Sequence, residues 1–235
     1  MKISVVIPAH NEELTIANTI RAVLAQDYPD FEVIVVNNAS SDRTAEIVSG
    51  FPVRLVNESR KGLLWAREKG RKEASGQIIA NIDADCVPEK DWLTRGAKHF
   101  IRDENDHFVE IVAVTGPYDY HDAKPFFRNT SLFIQKYIYR PFQFILQSPL
   151  IKNGAILIGG NNFIRADILE KADGYNTDLT FYGEDTDTAK RVSRYGRVVF
   201  SPTLIMKTSA RRFKNEGVIS IESKYIYHFF KNVFK

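Results

Sequence analysis

Cysteine is almost absent: Cys86 stands alone among 235 residues. One thiol excludes an internal disulfide framework and any multi-cysteine zinc site, so packing must supply the stability, and a reducing, cytoplasmic setting is expected. Long apolar runs are missing too. A membrane span needs roughly 18 or more consecutive apolar residues, and the most tempting stretch, 126–147, is broken by Gln135, Lys136, Arg140 and Gln143. No bilayer crossing is expected. The opening run Met1 to Pro8 is too short for a secretory signal and reads as a strand. No repeat, low-complexity tract or Gly/Ser linker divides the chain, which predicts one continuous domain.

What is present is a 44% hydrophobic composition, ample for a core at this length. The formal charge of +3 is unevenly spread: the chain carries +5 from Lys207 onward and −2 before it. Nucleic acid is not the expected partner, because no zinc-finger spacing or RNA-binding aromatic signature accompanies the basic end. An anionic lipid surface suits it better, which would place the protein at the inner face of a cell membrane.

Apolar segments alternate with segments of helical period through the first half, the pattern of a mainly parallel sheet covered by helices. Strands are predicted at 3–7, 33–36, 53–56, 78–82 and 111–115. Helices are predicted where Leu14, Ala17, Ile20, Val23 and Leu24 recur, through Val48, from Leu64 to Ala74, and around Leu93, Ala97, Phe100 and Ile101. Trp65 and Trp92 fall on helical faces and are expected in the core. The segment 126–147 interleaves twelve large apolar residues with cations and suits either a core or an interaction surface. The basic, aromatic stretch 211–235 suits a membrane-surface helix, or packing against the body or another subunit.

Asp83-Ala84-Asp85 follows the apolar run Ile78–Ile82. Two carboxylates in extended backbone point to one side, and such hard oxygen ligands suit Mg²⁺ or Mn²⁺. A solvated turn or a helix cap is the plainer alternative. Two other polar loops, Pro8 to Glu12 and Asn37 to Asp42, also follow predicted strands, so three loops would converge at one sheet edge, where open α/β sheets bind ligands.

These loops resemble those of the family 2 inverting glycosyltransferases, whose single Rossmann-like GT-A domain opens with a strand-Pro-x-x-Asn-Glu loop. A Val-Val-Asp-Asp-Gly-Ser-x-Asp-like segment and an Asp-x-Asp follow in that family. The likeness includes Lys61-Gly62 and Ala66 to Gly70 and continues past residue 200. It implies a catalytic domain over 1–210, with a nucleotide-sugar half at 1–115, an acceptor half at 116–210, and a tail at 211–235. It further implies that Pro8, Ala9, Asn11, Glu12, Asn38, Lys61, Asp83 and Ala84 bind a UDP- or GDP-linked sugar. Asp85, with Asp83 beside it, would hold Mg²⁺ or Mn²⁺ on the diphosphate. Where the family has an acidic base-reading pair this chain has Asn37-Asn38, and an amide both donates and accepts.

A second cluster, Thr180 to Asp187, precedes a helical segment. Its acids suit N-capping as well as catalysis. The resemblance implies that Asp185 is the general base and that Glu184, with Gly160 and Asn161 of the Gly159-Gly160-Asn161-Asn162 run, contacts the acceptor. That run also reads as a plain turn. The late metal-binding His of many relatives is missing from 201–209, which implies either looser metal coordination or phosphate neutralisation by Lys207 and Arg211 instead; His228 is expected on the surface. Cys86 is expected to be a small buried residue. The implied reaction is inverting transfer from a nucleoside-diphosphate sugar to a glycan or lipid-linked acceptor. A nucleotidyltransferase or a non-catalytic sugar-nucleotide-binding protein is the alternative.

Overall fold

Ile3-Ser4-Val5-Val6-Ile7-Pro8-Ala9 is buried along its whole length, as a strand covered on both faces must be. In the computed structural model, which describes residues 1–101, 110–148, 154–179 and 182–233, it forms the first strand. The elements run β1 (Ile3–Ala9), α1 (Ile16–Leu24), β2 (Phe31–Asn38), α2 (Thr44–Ser49), β3 (Arg54–Glu58), α3 (Leu63–Glu73) and β4 (Ile78–Ile82). Then come β5 (Val87–Pro88), α4 (Trp92–Ala97), β6 (Ile111–Thr115), β7 (Tyr118–Tyr120), α5 (Pro125–Ile134), a π-helical turn (Gln135–Tyr139) and α6 (Arg140–Leu146). The last are β8 (Asn161–Arg165), α7 (Ala166–Lys171), α8 (Glu184–Val192), β9 (Arg197–Phe200), β10 (Met206–Thr208), α9 (Arg211–Glu216) and α10 (Val218–Val233).

Seven strands make the main sheet in the order β3-β2-β1-β4-β8-β6-β9, and β5-β10-β7 form a small second sheet. β3, β2, β1 and β4 are parallel, as are β6 and β9. Only β8 of the main sheet is reversed, antiparallel to both β4 and β6. The expectation of an α/β domain with a mostly parallel sheet is borne out. Side chains alternate across the sheet: Ile3, Val5 and Ile7 pack with Ile16 and Ile20 of α1 and Trp92 of α4. Val6 packs with Leu64 of α3, Leu169 of α7 and Val192 of α8 on the other face. Each such buried aliphatic contributes roughly 1.5–3 kcal/mol, and with both faces covered the sheet is a rigid platform for its loops.

Several expectations change. Leu14 is exposed, because it sits in a turn where the Thr15 and Ile16 amides donate to the Glu12 carbonyl, ahead of α1. Ile101 is likewise exposed, since α4 ends at Ala97 and passes into a 3-10 turn, Lys98–Phe100. Trp92 is fully buried against Phe163, whereas Trp65 is half-buried with the Arg60 guanidinium 3.8 Å above its ring. Residues 125–146 are helical throughout, and their buried residues are Gln135, Gln143 and Leu146. The basic segment packs against the body through α10 and α8, with Ile221 fully buried. His228, expected on the surface, is half-buried and stacks on Tyr182, ring centroids 5.5 Å apart. Phe234 and Lys235 lie outside the described residues.

Candidate active site

Strand register explains why distant residues meet. Ala9 pairs with Asn37, so Asn38 lies just beyond the end of β1. Val6 pairs with Asn81, which brings Asp83, two residues on, level with Pro8. Ile82 pairs with Asn161 across the antiparallel join, so Gly160 lies beside Asp83. A cleft of about 1100 Å³ opens over these strand ends.

The Asp83-Ala84-Asp85 triplet is a turn rather than extended backbone: the Cys86 amide donates to the Asp83 carbonyl at 3.0 Å. The buried Thr19 hydroxyl fixes it by donating to the Ala84 carbonyl at 2.8 Å. Both carboxylates still line the cleft, and Cys86 is fully buried beneath them. The Tyr118 hydroxyl accepts from the Gly160 amide and donates to Asp83 Oδ2, each at 2.9 Å. A Cβ on Gly160 would come within 2.2 Å of Asp83 Oδ2, so close approach demands glycine there.

Asp85 faces Arg211 Nε at 3.5 Å, and Arg211 is also ion-paired with Glu12. Burial, then the charge of Asp83, pushes the Asp85 carboxyl up to about 6 despite Arg211, with Glu12 adding to the effect. Acids in the cleft lining outnumber its lysines and arginines: Glu12, Asp83, Asp85, Glu184, Asp185 and Glu216 against Lys61, Arg67, Arg211 and Arg212. Two hard carboxylates in such a place fit a Mg²⁺ or Mn²⁺ ion that takes its remaining ligands from phosphate and water. Among the described residues no group of three or more His, Cys, Asp or Glu side chains is placed to hold a metal, so protein ligation alone would be incomplete.

Arg67 organises the other wall. Its buried guanidinium lies 3.3 Å from Asp83 Oδ1 and 3.7 Å from Glu184 Oε1. Burial opposes its charge, yet Asp83 and Glu184 more than compensate and hold its pKa above the usual value. Glu184 and Asp185 start α8 behind Gly183, whose φ of 86° is left-handed. Burial, followed by the charge of Asp185, pushes the Glu184 carboxyl well above the usual range. Burial also raises Asp185, against the pull of Arg67, and the Gly159 amide donates to its Oδ2 at 3.2 Å. Among the described residues, Arg67 Nε and Glu184 Oε2 are buried without a hydrogen-bond partner, an unusual state for such atoms in a folded protein.

Of the residues singled out from sequence, Pro8, Ala9, Glu12, Asn38, Lys61, Asp83, Ala84, Asp85, Gly160, Glu184 and Asp185 all line the cleft. Two do not. Asn11, with φ 56°, turns its carboxamide oxygen to the Ser41 amide at 2.8 Å and acts as a loop clasp. Asn161 is fully buried, accepting from Trp92 Nε1 at 2.9 Å and donating to the Leu204 carbonyl at 2.7 Å. Asn38 borders the cleft with its amide already engaged. It donates to the Glu58 and Arg60 carbonyls at 3.2 and 2.7 Å and accepts from the Gly62 amide at 2.8 Å. An amide stands there because the loop needs both donors and an acceptor. Lys207 does not line the cleft and pairs with Glu89 at 3.8 Å. Thr180 and Phe181 lie outside the described residues.

Sequence reasoning missed Arg67 and Tyr118 as site residues. For Arg67 a signal exists: Leu64, Arg67 and Gly70 recur at three-residue steps on the buried side of α3. An arginine on such a stripe must find buried acid partners. Tyr118 is positioned only by tertiary contacts, and no local pattern marks it.

A mainly parallel sheet with an acid-lined cleft over its strand ends defines the GT-A class of glycosyltransferase folds, and solved structures agree. The mannosyltransferase PcManGT from Pyrobaculum calidifontis, in complex with GDP-Man and Mn²⁺, matches with a TM-score of 0.73 at 24% identity over 99% of this chain and 64% of its own. S. aureus TarS matches at 0.67 with 21% identity, covering 89% of this chain and 37% of its own. The chain belongs to Glycosyl transferase family 2, whose family model matches residues 4–172. A probable glycosyltransferase of Bacillus subtilis, YdaM, is 34% identical over 87% of the chain and 50% of its own length. The glycosyltransferase AglE of Haloferax volcanii is 39% identical over 40% of the chain and 34% of its own. The chain therefore spans half or less of the length of these relatives.

Proposed function

We propose that the chain transfers a sugar, with inversion, from a UDP- or GDP-linked donor to a hydroxyl of a glycan or lipid-linked acceptor. The observation that carries this is the buried Arg67 guanidinium. It faces both Asp83, on the donor side, and the Glu184–Asp185 pair, which ties two carboxylate sets of different purpose to one cation within one cleft. Membership of family 2 and the donor complexes of PcManGT with GDP-Man and of TarS with UDP-GlcNAc support the reading.

Asp185 is the general base. Its carboxylate, anchored by the Gly159 amide and raised by burial, accepts the acceptor hydroxyl proton as that oxygen bonds to the anomeric carbon. The bond from the anomeric carbon to the diphosphate oxygen breaks on the opposite side, which inverts the configuration. Asp85, with Asp83, would hold Mg²⁺ or Mn²⁺, which when bound offsets charge on the departing diphosphate. Arg211, already against Asp85 and Glu12, is placed to meet the same phosphates, and exposed Lys61 at the rim has no ion-pair partner among the described residues. Pro8 and Ala9 form the floor, and Glu184 and Gly160 border the acceptor side.

Incubation with a panel of UDP- and GDP-sugars plus Mn²⁺ tests this. Release of free nucleoside diphosphate, lost in Asp185→Asn, is expected. Pyrophosphate release would show nucleotidyl transfer instead, and donor binding without turnover would show a binding protein.

A further inference from the structure

The helical stretch 125–146 turns two glutamines inward together with Leu146. Its fully engaged inward residues are glutamines: Gln135 exchanges hydrogen bonds with the backbone of Tyr118, and Gln143 donates to the Val198 carbonyl at 2.9 Å and accepts from the Ile156 amide. An uninterrupted α-helix would set these two side chains ~80° apart. The π-helical turn between them absorbs about one residue and brings them to within ~20° of a common line. With the glutamines fastened inward beside Leu146, and Phe127, Leu132, Tyr139 and Phe142 half-buried, the remaining large apolar residues face outward. Phe126 is 85% exposed, Phe133 59%, Tyr137 66% and Phe144 73%, with Ile138 and Ile145 also exposed. Single exposed hydrophobes are ordinary, but a row of this length along one helix marks an interaction surface.

Charge identifies the partner. From Lys124 to Gln147 the sequence holds Lys124, Arg128, Lys136 and Arg140 and no Asp or Glu. Arg128 is paired with Asp119, while Lys124, Lys136 and Arg140 make no ion pair among the described residues. Aromatic side chains flanked by unpaired cations match the boundary of an anionic bilayer, where rings enter the headgroup region and cations meet lipid phosphates. No described helix is long and apolar enough to cross a membrane, so the contact lies along the surface. The face is also continuous with the cleft, since Phe126 and Ile134 belong to both.

We propose that this helical face docks on an anionic lipid surface and that the cleft thereby takes its acceptor from the bilayer, as a lipid-linked sugar or lipid headgroup. The choice of acceptor rests on the glycosyl-transfer reading; the docking does not. Flotation of the purified chain with vesicles of phosphatidylcholine containing phosphatidylglycerol, against phosphatidylcholine alone, tests it. Binding to the anionic vesicles, weakened by salt, is expected. The triple variant Phe133→Ser, Tyr137→Ser, Phe144→Ser lies outside the cleft, and its vesicle partition is expected to fall at least about tenfold with melting temperature and donor turnover unchanged. Lys136→Glu with Arg140→Glu is expected to reduce binding to anionic vesicles about fivefold per residue. Absence of wild-type binding to anionic vesicles, or equal binding by the triple variant, overturns the proposal. So does a concentration-dependent dimer abolished by the triple variant, which would give the face to a second copy. Intact vesicle binding without donor turnover would leave the docking standing and remove the transferase reading.

Discussion

Replacing Arg67 by Met keeps most of the side-chain volume and removes the one buried cation between two acidic groups. The guanidinium lies 3.7 Å from Glu184 Oε1 and 3.3 Å from Asp83 Oδ1. At an effective dielectric constant near 20, a charge pair at such a separation is worth ~4 kcal/mol. Breaking a buried pair by removing one partner typically costs about 3–5 kcal/mol. Glu184 limits that loss by taking up a proton. Its carboxyl is already raised by burial and by Asp185, with Arg67 pulling the other way, so without Arg67 it rises further. A folded-state pKa above the unfolded value means the folded chain binds the proton more tightly. The corresponding stability is fully present below the unfolded pKa and is lost as pH rises through the folded one. Arg67→Met is therefore expected to be about 3–5 kcal/mol less stable than wild type near pH 8, with the deficit shrinking toward pH 5. Urea unfolding at both pH values, extrapolated linearly to water, measures it. A deficit below ~1 kcal/mol near pH 8, or one equal at both pH values, refutes the placement of Arg67 as the central buried counter-charge.

Asp185→Asn is expected to keep the thermal shift produced by UDP or GDP while donor turnover falls by ~10²–10⁴; turnover near wild type would remove Asp185 as base. Asp85→Asn is expected to melt no lower than wild type, because it removes a charge disfavoured by burial and by repulsion from Asp83 and Glu12, and to lose the Mn²⁺-dependent part of the nucleotide shift. Retention of that part would place the ion elsewhere. Asn38→Asp cannot donate to the Glu58 and Arg60 carbonyls, and a cost of about 1–3 kcal/mol in denaturant unfolding is expected; unchanged stability would show that the amide does not hold the loop.

Strand positions could be read in part because period and composition report on burial: the runs at Ile3, Val33 and Ile78 are apolar on both faces, and each ends in a polar loop at the same edge. The acidic positions were legible through the family resemblance, since Asp83-Ala84-Asp85 by itself also suits a solvated turn or a helix cap and Glu184-Asp185 also suits a helix N-terminus. What could not be read depends on pairing across long separations. Asn161 and Gly160 are neighbours in sequence, but the register of β8 on β4 sends one side chain into the core and leaves the other position beside Asp83. The orientation of the 125–146 helices is hidden likewise, because it is fixed in part by backbone groups of Tyr118, Ile156 and Val198 that accept or supply hydrogen bonds to two glutamines.

The reversed strand β8 has a consequence for how the site comes into being. As the chain leaves the ribosome, β1 to β4 can pair in turn, each with a neighbour already made. Growth of the sheet then halts at β4, because β6 can join only through β8, whose first residue is made 79 positions after the end of β4. Non-local joins of this kind are slow steps in folding. The donor side of the cleft is thus laid down early and incomplete, with the edge of β4 open. Gly159 and Gly160, just before that strand, carry the hydrogen bonds to Asp185 and Tyr118, so closing the sheet brings these parts of the cleft into place.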